Sequence, residues 1–183
     1  MNTARLFISL PVDPGIVKRI SKEFLNLDLR WEKIKPGEDF NIHLSMKFLG
    51  TTPIDRVPAI IEALEKVDTQ IENLELEIDK PKIFNSKRPQ TLVLGFKENK
   101  DIQKLFDNIE QVLFDANLVN KEIRRFTTHL TIARVKQSAE FSEFADFEKW
   151  KINKIFNVPN FELRESVLTK QGPEYTILQT FDL

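Results

Sequence analysis

Asn41-Ile42-His43-Leu44-Ser45-Met46-Lys47-Phe48-Leu49-Gly50 and Phe126-Thr127-Thr128-His129-Leu130-Thr131-Ile132-Ala133-Arg134-Val135 decide the fold of this chain. It holds only two histidines, and each heads the same pattern of His, apolar, hydroxyl, apolar. Residues alternate across a β-strand, so His43 and Ser45 share one face, extended by Lys47, while Ile42, Leu44, Met46 and Phe48 share the other. His129 and Thr131 repeat the arrangement, with Leu130 and Ile132 opposite. A polar pair on a strand whose other face is apolar implies a concave, solvent-accessible surface on the polar side.

Working outward, the histidine strands are predicted over residues 40–49, ended by Gly50, and 126–135. Residues 5–10 read as a buried strand stopped by Pro11. A helix follows over 14–27, with Asp13 as N-cap, Pro14 in the first turn and Ile16, Ile20, Phe24 and Leu27 facing inward. Thr52-Pro53 opens a second helix with Ile54, Val57, Ile60, Ile61, Leu64 and Val67 at helical spacing. Leu74, Leu76 and Ile78 alternate with acids as a half-buried strand, and Thr91–Phe96 is another after an Arg88-Pro89 turn. A third helix covers 100–117, a weaker one 139–151, and strands at 157–168 and 174–183 close the chain around Gly172-Pro173. No linker or tandem repeat interrupts this order. The expectation is an α+β chain, one domain over 1–183, with two similar strand-helix halves.

Composition narrows the function. With 41% apolar and 30% charged residues and fifteen phenylalanines among 183, the chain can build a core from aromatic rings without metal or disulfide support. The absence of cysteine removes a disulfide framework, a thiolate metal site and a cysteine nucleophile together. No stretch reads as a signal peptide or membrane span, so the expected location is cytoplasmic, with no membrane partner. A net charge of −1 provides no global basic field for nucleic acid. Contacts to RNA would come from local groups, either Lys80, Lys82, Lys87 and Arg88, or Lys121, Arg124, Arg125, Arg134 and Lys136, and each cluster alone reads first as solvated surface.

Two imidazoles and two hydroxyls suit one reaction well. Histidine serves as acid or base near neutral pH. Hydrolysis of a phosphodiester without a metal needs both roles, one group taking a proton from water and the other giving one to the departing oxygen. The Ser45 and Thr131 hydroxyls would bind charge gathering on the non-bridging oxygens. A single histidine on a strand is ordinarily structural or merely exposed, but both histidines of the chain sharing one pattern favours catalysis. A zinc site would need a third ligand, and neither motif carries an acid at the following positions. Phosphate-binding glycine loops have little material in a chain of five glycines.

These residues resemble the two-histidine (2H) phosphoesterases, specifically the RNA 2′,3′-cyclic phosphodiesterases once called 2′-5′ RNA ligases. The resemblance spans nearly the whole chain: Arg5-Leu6-Phe7-Ile8-Ser9-Leu10-Pro11 as the opening strand, Arg30-Trp31 and then Asn41 to Gly50 as the first motif region, Phe126 to Val135 as the second, and Ser166 with Gly172-Pro173-Glu174-Tyr175 as the closing hairpin. Ser45 stands where the family usually has threonine, and Thr128 where a proline commonly precedes the second histidine. The resemblance implies a bilobal 2H-phosphoesterase-like fold with antiparallel sheets flanking a central cleft. It implies His43 as proton donor to the leaving 3′-oxygen and His129 as the base activating water. The product would carry a 2′-phosphate, no cofactor or metal would be needed, and Ser45, Thr131 and Arg134 would bind the phosphate.

Strict alternation puts Arg134 with Leu130 and Ile132, away from the histidine, so the strand must end or twist before it. Trp31, Phe48 and Tyr175 are candidates to stack on a base, with core packing as their ordinary role and Phe48 on the buried face. Lys47 reads as a solvated lysine within reach of RNA phosphate. The substrate implied is RNA or a nucleotide ending in a 2′,3′-cyclic phosphate, handled by a monomer with no obligate protein partner. Another cyclic phosphate, a 2′-5′-linked oligonucleotide, or a non-catalytic RNA-binding module are the alternatives.

Overall fold

The computed structural model describes every residue except 1, 39–40, 72, 86–89, 123–125, 137–138 and 171. In chain order the elements are β1 (Thr3–Leu10), α1 (Pro14–Leu25), β2 (Ile34–Pro36), β3 (Leu44–Pro53), α2 (Val57–Leu64), β4 (Leu74–Phe84), β5 (Thr91–Phe96), α3 (Lys100–Asp115), β6 (His129–Val135), α4 (Ala145–Lys149), β7 (Ile155–Val158), β8 (Asn160–Leu168) and β9 (Pro173–Asp182). The order of strands across the sheet is β7-β4-β5-β6-β3-β1-β8-β9, with β2 added on β6. All the described pairings are antiparallel, and the chain is α+β as its alternation of elements predicts.

Two halves meet at the middle, β7-β4-β5-β6 with β2 on one side and β3-β1-β8-β9 on the other. Among the described residues β3 and β6 share one bridge, Leu44 opposite Leu130. Only Pro159 separates β7 from β8, which belong to different halves, so the sheet must curl to bring them end to end. Proline has no N–H to give a ladder, and residues 157–168 therefore form two strands rather than the single one predicted.

The helices form for local reasons. Asp13 caps α1 by accepting from the Ile16 N–H at 2.9 Å, with Pro14 in the first turn. Asn99 caps α3, accepting from the Asp101 and Ile102 N–H groups at 2.8 and 3.0 Å. Their buried faces, Ile16, Val17, Ile20 and Phe24 on α1 and Ile102, Leu105, Phe106, Ile109 and Leu113 on α3, join the strands' inward residues in one apolar cluster. Phe24 packs edge-on against Trp31 at 5.2 Å, which puts Trp31 in the core packing. Among the described residues no helix is long and apolar enough to cross a membrane.

Element ends differ from expectation in places. β3 begins after His43 and runs through Gly50 to Pro53; Gly50 takes φ +72° at a register shift, where Leu6 faces Gly50 but Phe7 faces Phe48. That left-handed backbone is one glycine tolerates without strain. The second helix therefore starts later, at Val57. The segment 139–151 is a short 3-10 turn leading into α4. The Arg88-Pro89 turn lies outside the described residues.

Candidate active site

The Leu44–Leu130 bridge fixes how the two motifs face each other. Carried one residue either way, this antiparallel register puts His43 beside Thr131 and Ser45 beside His129. The histidines therefore occupy diagonal corners, and diagonal positions in such a ladder lie about 7–8 Å apart. All four side chains line one cleft of about 510 Å³. The structure thus brings together His43, His129, Ser45, Thr131 and Arg134.

Each imidazole is held in the same way. The His43 Nδ1–H donates to the Asn41 carbonyl at 2.8 Å, and the His129 Nδ1–H donates to the Thr127 carbonyl at 2.8 Å. A carbonyl only accepts, so Nδ1 carries the proton and Nε2 of the neutral ring is the basic nitrogen. Asn41 is itself anchored, its Nδ2 donating to the Pro173 carbonyl at 2.9 Å. The Ser45 hydroxyl lies 3.1 Å from His43 Nε2; among the described residues Thr131 makes no matching bond to His129.

Both strands carry a β-bulge at the same step. Ser45 pairs with Ser9 but Lys47 with Ile8, skipping Met46. Thr131 pairs with Val93 but Ala133 with Leu92, skipping Ile132. An extra residue on one strand reverses the alternation beyond it; two expectations are corrected as a result, and the condition set for Arg134 is met. Lys47 is not solvated: it is 6% exposed and ion-paired with Glu110 on α3, so it is removed as a candidate for touching RNA. Phe48 is not buried: it is 69% exposed and lines the cleft. Arg134 returns to the face of His129 and Thr131, the turn of the strand that its placement required.

The walls around the two rings differ. Phe7 and Tyr175 each stand 5.0 Å from the His43 ring, which moves Tyr175 from core packing to the cleft wall. Burial holds the His43 imidazole down to a pKa of about 4, partly offset by the Asn41 bond and reinforced by the nearby Arg164 cation. Arg164 is clamped by Glu162, its Nε donating at 2.6 Å. His129 has Phe84 at 4.8 Å. Lys82, which faces Val93 and through it Thr131, lies over Gly95, where a Cβ would sit 2.7 Å from its Nζ. Of the basic clusters, Lys87, Arg88, Arg124 and Arg125 lie outside the described residues, and Lys121 is on the surface against Phe114.

Sequence reasoning missed Phe7, Phe84 and Lys35 as cleft residues. Phe7 sits in a run that reads as ordinary apolar strand, Phe84 lies beyond the alternation of Leu74, Leu76 and Ile78 that marked its strand, and Lys35 is in a three-residue strand too short to show a period. Among the described residues no three His, Asp or Glu side chains converge as a metal ion would need.

Comparison with known proteins bears on the same region. Residues 10–94 match the family described as LigT like Phosphoesterase. The RNA 2′,3′-cyclic phosphodiesterase of Archaeoglobus fulgidus is 29% identical over 97% of this chain and 99% of its own length. That of Methanocaldococcus jannaschii is 27% identical over 96% and 98%. Among solved structures, E. coli LigT complexed with 3′-AMP aligns with a TM-score of 0.80 at 19% identity, covering 100% of this chain and 99% of that one. A structure described as a phosphoesterase aligns at 0.81 with 17% identity and the same coverage.

Proposed function

We propose, from the likeness of residues 10–94 to the LigT like Phosphoesterase family and of nearly the whole chain to RNA 2′,3′-cyclic phosphodiesterases, that this two-histidine phosphoesterase hydrolyses RNA 2′,3′-cyclic phosphate ends to 2′-phosphates by metal-independent acid–base catalysis. The observation that carries this reading is the diagonal pair of imidazoles in one cleft, each held through Nδ1 with a hydroxyl neighbour. A cyclic phosphate seated between them meets one Nε2 on the side of the attacking water and the other beside the departing 3′-oxygen. Ser45, Thr131 and Arg134 bind its non-bridging oxygens.

In this scheme His129 takes the proton of water and His43 gives one to the 3′-oxygen. Resting His43 is neutral at pH 7, because its pKa lies near 4. It acquires its proton with the substrate, whose negative charge opposes Arg164 and favours the imidazolium. The same depressed pKa favours a second reading with the roles exchanged, His43 as base and His129 as acid. A diester with a p-nitrophenolate leaving group separates the two, since a good leaving group needs no acid. The alanine variant that keeps its rate on that diester while losing it on the cyclic phosphate has lost the acid.

The reading is tested with nucleoside 2′,3′-cyclic phosphates in the presence of EDTA. Turnover continues, and the product is the 2′-phosphate. His43→Ala and His129→Ala each lower kcat by about 10²-fold or more with the circular dichroism unchanged. Loss of turnover on chelation, restored by a divalent ion, would falsify the metal-independent mechanism.

A further inference from the structure

Lys35 and Arg134 face each other directly across the β2–β6 ladder, and both line the cleft. Like charges at directly opposite positions repel, so a folded sheet gains nothing from this pair unless an anion lies over it. No carboxylate does so among the described residues, and Glu38 on the same wall pairs with neither. Lys33, Lys97 and Lys154, away from the cleft, each hold a carboxylate. Lys35 also reaches across the mouth, its Nζ 3.9 Å from where a Cβ on Gly172 would sit, in the turn between β8 and β9.

The position of this pair along β6 matters. Arg134 lies opposite Thr91 and Thr131 opposite Val93, so the cation row is one two-residue strand step beyond the hydroxyl that faces the reacting phosphate. Two strand residues span about 7 Å, the scale of the step from one phosphate to the next in a polynucleotide. Arg134 is long enough to serve both positions, and Lys35 serves only the outer one. Arg5, a cleft cation near the Phe48 end, stands opposite Thr51 rather than opposite a second cation.

We propose that Lys35, with Arg134, holds the phosphate on the 5′ side of the terminal nucleoside, which makes a polynucleotide end the preferred substrate over a lone nucleoside cyclic phosphate. This rests on the acid–base reading above. It is tested by kcat/KM for a nucleoside 2′,3′-cyclic phosphate against the same compound bearing a 5′-phosphate. The wild type favours the 5′-phosphorylated compound by roughly tenfold or more, the worth of one charge-assisted contact. Lys35→Gln brings the ratio towards one, Lys35→Arg keeps it, and added salt erodes it in the wild type.

Equal rates in the wild type, or an unchanged ratio in Lys35→Gln, overturn the proposal. So does collapse of the ratio in Arg5→Gln instead, which would run the polynucleotide out of the other end of the cleft. If neither compound turns over, the acid–base reading fails separately. The same ratio, measured as affinity for nucleoside 2′-phosphate with and without the 5′-phosphate, then decides the role of Lys35.

Discussion

The two histidine strands share a backbone plan and differ in what surrounds it. Both fix the imidazole through Nδ1 to the carbonyl two residues back at 2.8 Å, and both bulge at the residue after the hydroxyl. Beyond the bulge they diverge. The position that turns to the core is Lys47 on β3, tied to Glu110, and Ala133 on β6. The position that turns to the cleft is Phe48 on β3 and Arg134 on β6. Around His43 the walls are aromatic; around His129 they carry Lys82 and Arg134, which hold no carboxylate among the described residues. One geometry is thus used twice, and the neighbours alone make the two imidazoles unequal.

The largest effect that would sharpen this contrast is at the core-facing position. Lys47→Met leaves Glu110 buried without its cation, with its Oε2 still accepting from the Glu122 N–H, and is expected to cost about 3–5 kcal/mol in denaturant unfolding. Lys47→Met with Glu110→Leu recovers most of that loss, since a buried pair is replaced by apolar contact. If Lys47→Met unfolds at the wild-type midpoint, the pair is not holding β3 to α3. Ala133, its counterpart, has no such partner to strand.

Next in size is the titration of His43. In the free protein His43 is expected to stay neutral down to about pH 4, read by NMR of the imidazole. Its folded pKa lies below the unfolded value of 6.5, so above that pH it carries no penalty. As pH falls from 6.5 towards 4 the unfolded chain takes up a proton that the folded one refuses, and stability declines across that window. Saturating inorganic phosphate raises the His43 pKa by opposing Arg164. If His43 titrates near 6.5 without phosphate, the burial of its ring does not set its protonation state.

The smallest effect is at Phe48, set against Phe7, which it faces across β1 and β3. Phe7 is buried beneath His43 and Tyr175, and Phe7→Ala costs about 3–5 kcal/mol. Phe48 is largely exposed, and Phe48→Ala changes stability by no more than about 0.5 kcal/mol. A large loss on Phe48→Ala would show that the cleft face is packed as a core.

Much of this was legible in the sequence. The cap at Asp13, helical spacing along 14–27 and 100–117, and the alternation of Leu74, Leu76 and Ile78 are local signals, and the elements formed where they pointed, with α1 ending at Leu25 and α3 at Asp115. The two motif tetrapeptides gave the shared face of His43 with Ser45 and of His129 with Thr131 for the same reason. What failed was anything set by a partner strand. A bulge is a mismatch in count between two strands, so no period within 43–50 discloses it, and Lys47 and Phe48 were assigned to each other's faces. Glu110, which accounts for the burial of Lys47, lies sixty-three positions away and carries no mark of that role.

The matched bulges also tell a protein engineer where to work. Counting from each histidine, the fifth residue after it (Phe48 or Arg134) is a side chain displayed to whatever enters, and it can be exchanged without repacking the interior. The fourth (Lys47 or Ala133) is the reverse, a structural post. A library meant to change ligand preference belongs at 48 and 134, and an alternating design that ignores the extra residue would randomise the foundations instead.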